Sequence, residues 1–245
     1  KKDVKFERDL YYSDEKNLLL DQVNYLTWRG SYGNSVVCNE DAESAITNEA
    51  IVDHYIRTLL HQGNSVVATG VNHEHLKNLI VSTTKELQFV KWGDMPALEP
   101  LSHSGELQQF NNQQTVRSTL SFPLASGWSN LKDYLTQTIM TKALLPSQHV
   151  AYGEKSSVLF RNGLPDGIIN IEADAHMYTG AGLLTFHVHS KEGSILKNAF
   201  TQIKNAPQEA ISAEDLQRAK ATALFDLRSA IDGRSSFEHL TAEQV

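Results

Sequence analysis

The sequence predicts an α+β fold, with sheet-plus-helix halves on either side of a linker near residue 100. Three observations carry that prediction. Residues 47–87 alternate between a helical period, a short apolar run and a second helical period. Residues 93–105 lose all periodicity and hold Pro96, Pro100, Gly93 and Gly105. The rhythm then restarts with a strand, a helix, two adjacent strands and two helices, a pattern suited to a sheet covered on one face.

Each element follows from local pattern. Leu18, Leu19, Val23, Tyr25 and Leu26 fall near helical spacing over residues 17–27, with Gly30 and Gly33 as stops. Residues 47–61 form a second predicted helix. Thr47 is its candidate cap, Ile51, Val52, Tyr55, Ile56, Leu59 and Leu60 share its apolar face, and Gly63 ends it. The run Val66-Val67-Ala68-Thr69-Gly70 predicts a buried strand over 65–71, and Asn72 caps a helix over 74–87. Beyond the linker, 115–123 is a strand and 130–145 a helix with Leu131, Tyr134, Leu135, Thr138, Ile139 and Ala143 inward. Residues 149–166 form a glycine-punctuated loop. Strands at 168–178 and 182–190 follow, joined by Thr179-Gly180-Ala181. Helices at 194–205 and 213–231 close the pattern, the second capped by Ser212 with Asp215 three residues on.

Composition narrows the function. The chain is 40% apolar and 21% charged, an ordinary globular balance. Its 29 acidic and 22 basic residues give a net charge of −7, which argues against a nucleic-acid partner. No apolar run reaches the roughly 18 residues of a membrane span, so membrane association is expected only through partner subunits. Cys38 is the sole cysteine, which excludes an internal disulfide and suits a reducing compartment. We expect it to be buried filler. The opening Lys1-Lys2-Asp3-Val4 and the polar close at Gln244-Val245 suggest a trimmed or incomplete chain.

The chemistry-bearing residues form no recognisable centre in the sequence. His73-Glu74-His75 places two imidazoles at i, i+2 on a helix start, whereas zinc on one helical face needs i, i+4. The triplet is better explained as a solvated helix terminus, with Glu74 favoured by the dipole. On a strand the i, i+2 pair His187 and His189 does share a sheet face, but no third ligand lies nearby in sequence. Glu172 and Asp174, also i, i+2, fit an unpaired, solvent-facing strand edge. Lys1, Lys2 and Lys5 fit a solvated terminus. The phosphate-cradling and hydrolase-elbow glycine motifs are absent. No residue is therefore assigned as catalytic, cofactor-binding or metal-ligating, and no cofactor is expected.

Four stretches together resemble the pitrilysin-type (M16-like) metallopeptidase family. Gly70-Val71-Asn72-His73-Glu74-His75-Leu76, after its apolar run, is similar to the strand-to-helix step that closes the family's first domain. Gly105-Glu106 resembles the opening of the second domain. Tyr178 through Phe186 resembles its hairpin, Tyr-x-Asp-x-Gly-Leu-Phe-x-Phe, and Ser212 through Lys220 its Glu-Leu-x-x-Ala-Lys helix. The matches span most of residues 15–228, in patches. The resemblance implies two homologous domains: 1–92 as the C-terminal part of the first, 93–105 as linker, and 106–245 as a second, truncated domain.

Within the family, Gln148 through Gly153 leading into Ser156 through Phe160 is similar to the core subunits of the mitochondrial cytochrome bc1 complex. The substrate-binding processing-peptidase subunit would carry a glycine-rich loop there. The family's His-x-x-Glu-His motif does not occur in the chain. The resemblance thus implies a non-catalytic subunit on the matrix side of the inner membrane. Its implied partners are a Core 1 homologue, cytochrome b, cytochrome c1 and the Rieske subunit, which hold the haems and iron–sulfur cluster themselves. A processing-peptidase subunit and an unrelated α/β binding module remain the alternatives.

Overall fold

The computed structural model describes residues 2–30, 32–58, 65–85, 100–109, 114–124, 130–145, 157–161, 163–178, 180–208 and 211–232. The chain divides into two compact units: Lys1–Asn39 with Leu98–Phe225, and Glu40–Ala97 with Asp226–Val245. The N-terminal helices thus belong to the same unit as the sheet.

In the first unit, the periodicity of residues 168–190 resolves into a hairpin. Strand β2 (Ile168–Met177) and strand β3 (Gly182–Ser190) pair antiparallel, and β1 (Val116–Leu124) pairs antiparallel with the other edge of β3, giving the order β1-β3-β2. Pro123 lacks an N–H to give the ladder, and it is accommodated because β1 is an edge strand. Period-2 alternation sorts the side chains by face. Leu120, Phe122, Ile171, Ala173, Leu184, Phe186 and Val188 lie on one side and belong to the main core. Phe122 and Phe186 meet edge to face, ring centroids 6.0 Å apart.

That apolar face is covered by helices from the second half of the chain. Helix α6 (Leu131–Leu144) contributes Leu144, the short α7 (Val158–Arg161) contributes Val158 and Leu159, and α8 (Leu196–Asn205) contributes Ala199 and Ile203. Each large apolar side chain buried here stabilises the fold by about 1.5–3 kcal/mol. The predicted inward face of α6 holds for Ala143, which is buried, and for Tyr134, Thr138 and Ile139, which are half-buried, and is corrected at two positions. Leu131 and Leu135 are exposed, and burial concentrates at the C-terminal end, in Thr141, Ala143, Leu144 and Leu145. Helix period sets which residues share a stripe, but along this stripe burial becomes complete only in the last turns. Residues 158–161, read as loop, form α7, whose Val158 and Leu159 are buried in the main core.

Helix α9 (Ala213–Asp232) opens on a reciprocal cap, as its sequence predicts. Ser212 Oγ accepts from Asp215 N at 3.1 Å, while Asp215 Oδ2 accepts from Ser212 N at 3.3 Å and from Ser212 Oγ at 2.6 Å. Asp215 is almost fully buried and also accepts from Arg161 Nη2 and Arg218 Nη1. One carboxylate therefore ties α9 to α7. Arg218 Nη2 reaches the carbonyl of Ala143, adding α6.

The sheet's second face is not bare, contrary to the expectation of one-sided cover. Helices α1 (Lys2–Ser13) and α2 (Glu15–Trp28) pack on each other, and α2 packs on β1. Asp14 caps α2 by accepting from Lys16 N at 2.9 Å. Asp21 accepts from Tyr11 and Tyr12, locking α1 to α2. Tyr178, just past β2, stacks on Tyr32 at 4.5 Å and donates to Asn24 Oδ1 at 2.7 Å. Helix α1 escaped the sequence reading because its apolar residues are few and its charges many, so it looked like a solvated tail.

The second unit is helical among its described residues: α3 (Glu40–Ala45), α4 (Asn48–Thr58) and α5 (His73–Thr84). Thr47 caps α4 through Ala50 N at 3.2 Å, and Asn72 caps α5 through His75 N at 3.1 Å. The strand predicted at 65–71 is not formed. No described strand lies beside it to satisfy its backbone, and Val66 and Val71 are exposed. Ile51, Val52, Tyr55 and Ile56 are likewise exposed, so their shared face is not buried. Leu59, Leu60, Gly63, Leu87 and residues 93–99 lie outside the described residues.

Candidate functional site

The sheet's second face is polar, and α2 lies across it. Strand register decides which residues meet there. Pairing of Glu172 with His187 and Asp174 with Thr185 sets Glu172, Asp174 and His176 of β2 beside Thr185, His187 and His189 of β3. Thr119 of β1 stands opposite His187, and Arg117 opposite His189.

These groups form a connected network. Lys16 Nζ of α2 lies 2.7 Å from Asp174 Oδ2 and 3.2 Å from Glu172 Oε2. His187 Nε2 is 3.8 Å from the same Asp174 oxygen, and its Nδ1 is 3.0 Å from Thr119 Oγ1. Thr185 Oγ1 donates to the carbonyl of Asp174 at 3.1 Å. Asn170 Nδ2 supports Glu172 at 2.8 Å, and Arg117 Nε pairs with Glu15 Oε2 at 2.7 Å. A cavity of ≈ 200 Å³ opens between α2 and the sheet, lined by Lys16, Leu19, Arg117, Glu172, His187 and His189 among others.

Electrostatics follow from partial burial between a helix and a sheet. Burial disfavours the charged imidazole and pushes His176 below its ordinary value, with Lys16 assisting and Asp174 opposing. His187 is lowered by burial and by Lys16, against the pull of Asp174. Burial would lower Lys16, but the two carboxylates outweigh it and the ammonium is raised overall.

The expectation that Glu172 and Asp174 stand unpaired is corrected, since both hold Lys16. The pair His187 and His189 does share a face as predicted. It is not the pair that converges, however. His189 Nε2 turns to Thr115 Oγ1 at 2.9 Å, whereas His187 gathers with Asp174 and His176 from the neighbouring strand. The three ligand atoms lie within 4.8 Å of one another. Sequence separation hides this grouping, which only the hairpin register creates. His73 and His75 are exposed at the start of α5, as expected of a solvated helix terminus. Cys38 is half-buried rather than buried, its thiol donating to Asn39 O at 3.4 Å.

No family model matches the chain. Among curated proteins it is similar to the mitochondrial-processing peptidase subunit alpha of Solanum tuberosum, at 24% identity over 141 residues. That match covers 56% of the chain and 27% of the relative's length. Among solved structures it is similar to a chain of complex III2 from Candida albicans with Inz-5 bound, at TM-score 0.76 and 13% identity. The similarity covers 100% of this chain and 60% of that one. A protease from Helicobacter pylori superposes at TM-score 0.75 and 14% identity, covering 98% of this chain and 59% of the other. A putative M16-like peptidase from Alicyclobacillus acidocaldarius superposes at 0.63 and 15% identity, covering 96% and 58%. The chain therefore spans about 60% of the structures it resembles, with the mixed helix-and-sheet fold of M16-like peptidases.

Proposed function

We propose that the chain is a non-catalytic core subunit, of the Core 2 type, in a mitochondrial ubiquinol–cytochrome c reductase (complex III). The similarity along its whole length to a chain of complex III2 carries this reading. The order of the four sequence patches supports it independently. In this role the M16-like fold supplies packing surface. Its partners are a Core 1 homologue, cytochrome b, cytochrome c1 and the Rieske subunit, and its place is the matrix side of the inner membrane. No helix among the described residues is long and apolar enough to cross a membrane, so attachment runs through those partners. The domain division at 93–105, with two homologous peptidase-like domains, belongs to the same proposal.

The similarity to a processing-peptidase alpha subunit favours a second reading, as a subunit that handles presequences. Native purification followed by mass spectrometry separates the two. A core subunit co-purifies stoichiometrically with cytochrome b, cytochrome c1 and a Core 1 homologue. Recovery instead as a zinc-containing heterodimer that cleaves presequence peptides would replace the first reading with the second.

A further inference from the structure

We propose that Asp174, His176 and His187 form a binding site for a divalent transition metal ion of the zinc type, with Lys16 as its built-in competitor. The donor set is two imidazoles and one carboxylate, the borderline ligands that suit zinc and its neighbours rather than calcium or magnesium. Their ligand atoms lie within 4.8 Å of one another. Donors on one tetrahedral zinc, each about 2.0–2.1 Å from the ion, stand roughly 3.3 Å apart. His187 Nε2 and Asp174 Oδ2, at 3.8 Å, are already close to that spacing.

Two further observations point to a ligand. His176 Nε2 is buried and has no hydrogen-bond partner, an arrangement that is costly unless something accepts its lone pair or proton. His187 is held from behind, its Nδ1 engaged by Thr119 Oγ1 at 3.0 Å while Nε2 faces Asp174. In the tautomer that donates Nδ1–H to the threonine hydroxyl, the Nε2 lone pair is left for an ion, with the Thr185 hydroxyl 3.4 Å from it. Outer hydrogen bonds of this kind orient metal-binding histidines.

Lys16 makes the proposal specific. Its ammonium sits 2.7 Å from the carboxylate oxygen that the ion needs and 3.2 Å from Glu172 Oε2. A dication at Asp174 repels that ammonium, and Glu172 offers it a second seat without α2 having to leave the sheet. Lys16 and the ion therefore exclude each other from Asp174, and removing the Lys16 charge tightens metal binding.

The test uses the chelator-stripped chain titrated with Co²⁺, whose visible absorption reports imidazole coordination, and with Zn²⁺ in competition. One equivalent is expected to bind. His176→Gln and His187→Gln, which keep most of the side-chain volume, each weaken it at least about tenfold, a loss typical of damaged metal sites. His189→Gln, outside the cluster, leaves it unchanged. Lys16→Met tightens it at least about threefold, a gain that partial unfolding cannot mimic. Unchanged affinity in the His176 and His187 variants, or weaker binding in Lys16→Met, overturns the proposal. So does failure to bind one equivalent. The readout is independent of whether the chain assembles into complex III.

Discussion

Asp215 gathers hydrogen bonds from Ser212, Arg161 and Arg218 on one buried carboxylate, and they set the cost of its replacement by alanine. The side chain is nearly fully buried and accepts from Ser212 N, Ser212 Oγ, Arg161 Nη2 and Arg218 Nη1. Loss of the capping half of this arrangement costs about 1 kcal/mol. The two guanidinium bonds would each be worth about 1.5–3 kcal/mol if fully buried. Arg161 and Arg218 are 43% and 29% exposed, however, and regain water when the carboxylate goes. Their share falls to about 0.5–1 kcal/mol each. Asp215→Ala should therefore lose about 2–3 kcal/mol in urea denaturation followed by circular dichroism, or roughly 5–10 °C of Tm for a chain of this size. Asp215→Asn keeps an acceptor for Ser212 and should lose about half as much. A loss under about 1 kcal/mol for the alanine variant would refute the view that this carboxylate joins α7 and α9.

Acid gives the same residue a second test. Burial would raise the Asp215 carboxyl, but hydrogen bonds from Ser212 and Arg161 outweigh it and hold it below its ordinary value. A group whose folded value is depressed stabilises fully above its unfolded value, near 3.9, and loses that contribution as pH falls through the folded value. The stability gap between wild type and Asp215→Asn should thus be constant from about pH 6 to 8 and shrink progressively below about pH 4. Leu144→Ala removes a fully buried side chain from the main core and should cost about 2–5 kcal/mol, read by the same denaturation. Tyr11, raised to about 12 by burial and then by Asp21, should be among the phenolates missing from an ultraviolet titration stopped at about pH 11, alongside the raised Tyr12 and Tyr178. Tyr11→Phe should then leave the absorbance gained by that pH unchanged.

The second half of the chain was legible because its signals were redundant. The β2–β3 hairpin carried alternation, bounding glycines and β-branched residues together, and Ser212 with Asp215 announced the start of α9. The first half offered single signals that tertiary context overrode. Residues 65–71 have strand composition but no described partner strand, and α1 has a partner in α2 but little apolar periodicity. The candidate site was half visible. That His187 and Asp174 each lie on a strand face could be read from period 2. The hairpin turn puts β2 beside β3, but period 2 alone does not fix their register, which sets Asp174 opposite Thr185 and Glu172 opposite His187.

Register also explains why the polar face is a stabilising feature of the fold despite the cost of ion pairs between a helix and a sheet. A one-residue slip of β2 against β3 would turn Asp174 into the core beside Phe186 and Leu159, and turn Ile171 and Ala173 toward Lys16. Burying that carboxylate without a partner would cost several kcal/mol, far more than the correct pairing with Lys16 contributes. The apolar face alone specifies register less sharply, since a slip by two residues still sets apolar side chains such as Ile171 and Ala173 against Val188, Phe186 or Leu184. On the polar face a slip by two would take Asp174 from Lys16, and Thr119 could no longer reach His187 if β1 were the strand displaced. The network under α2 therefore selects one register out of the set that hydrophobic burial permits. The same selection brings His176, from the far end of β2, within reach of His187.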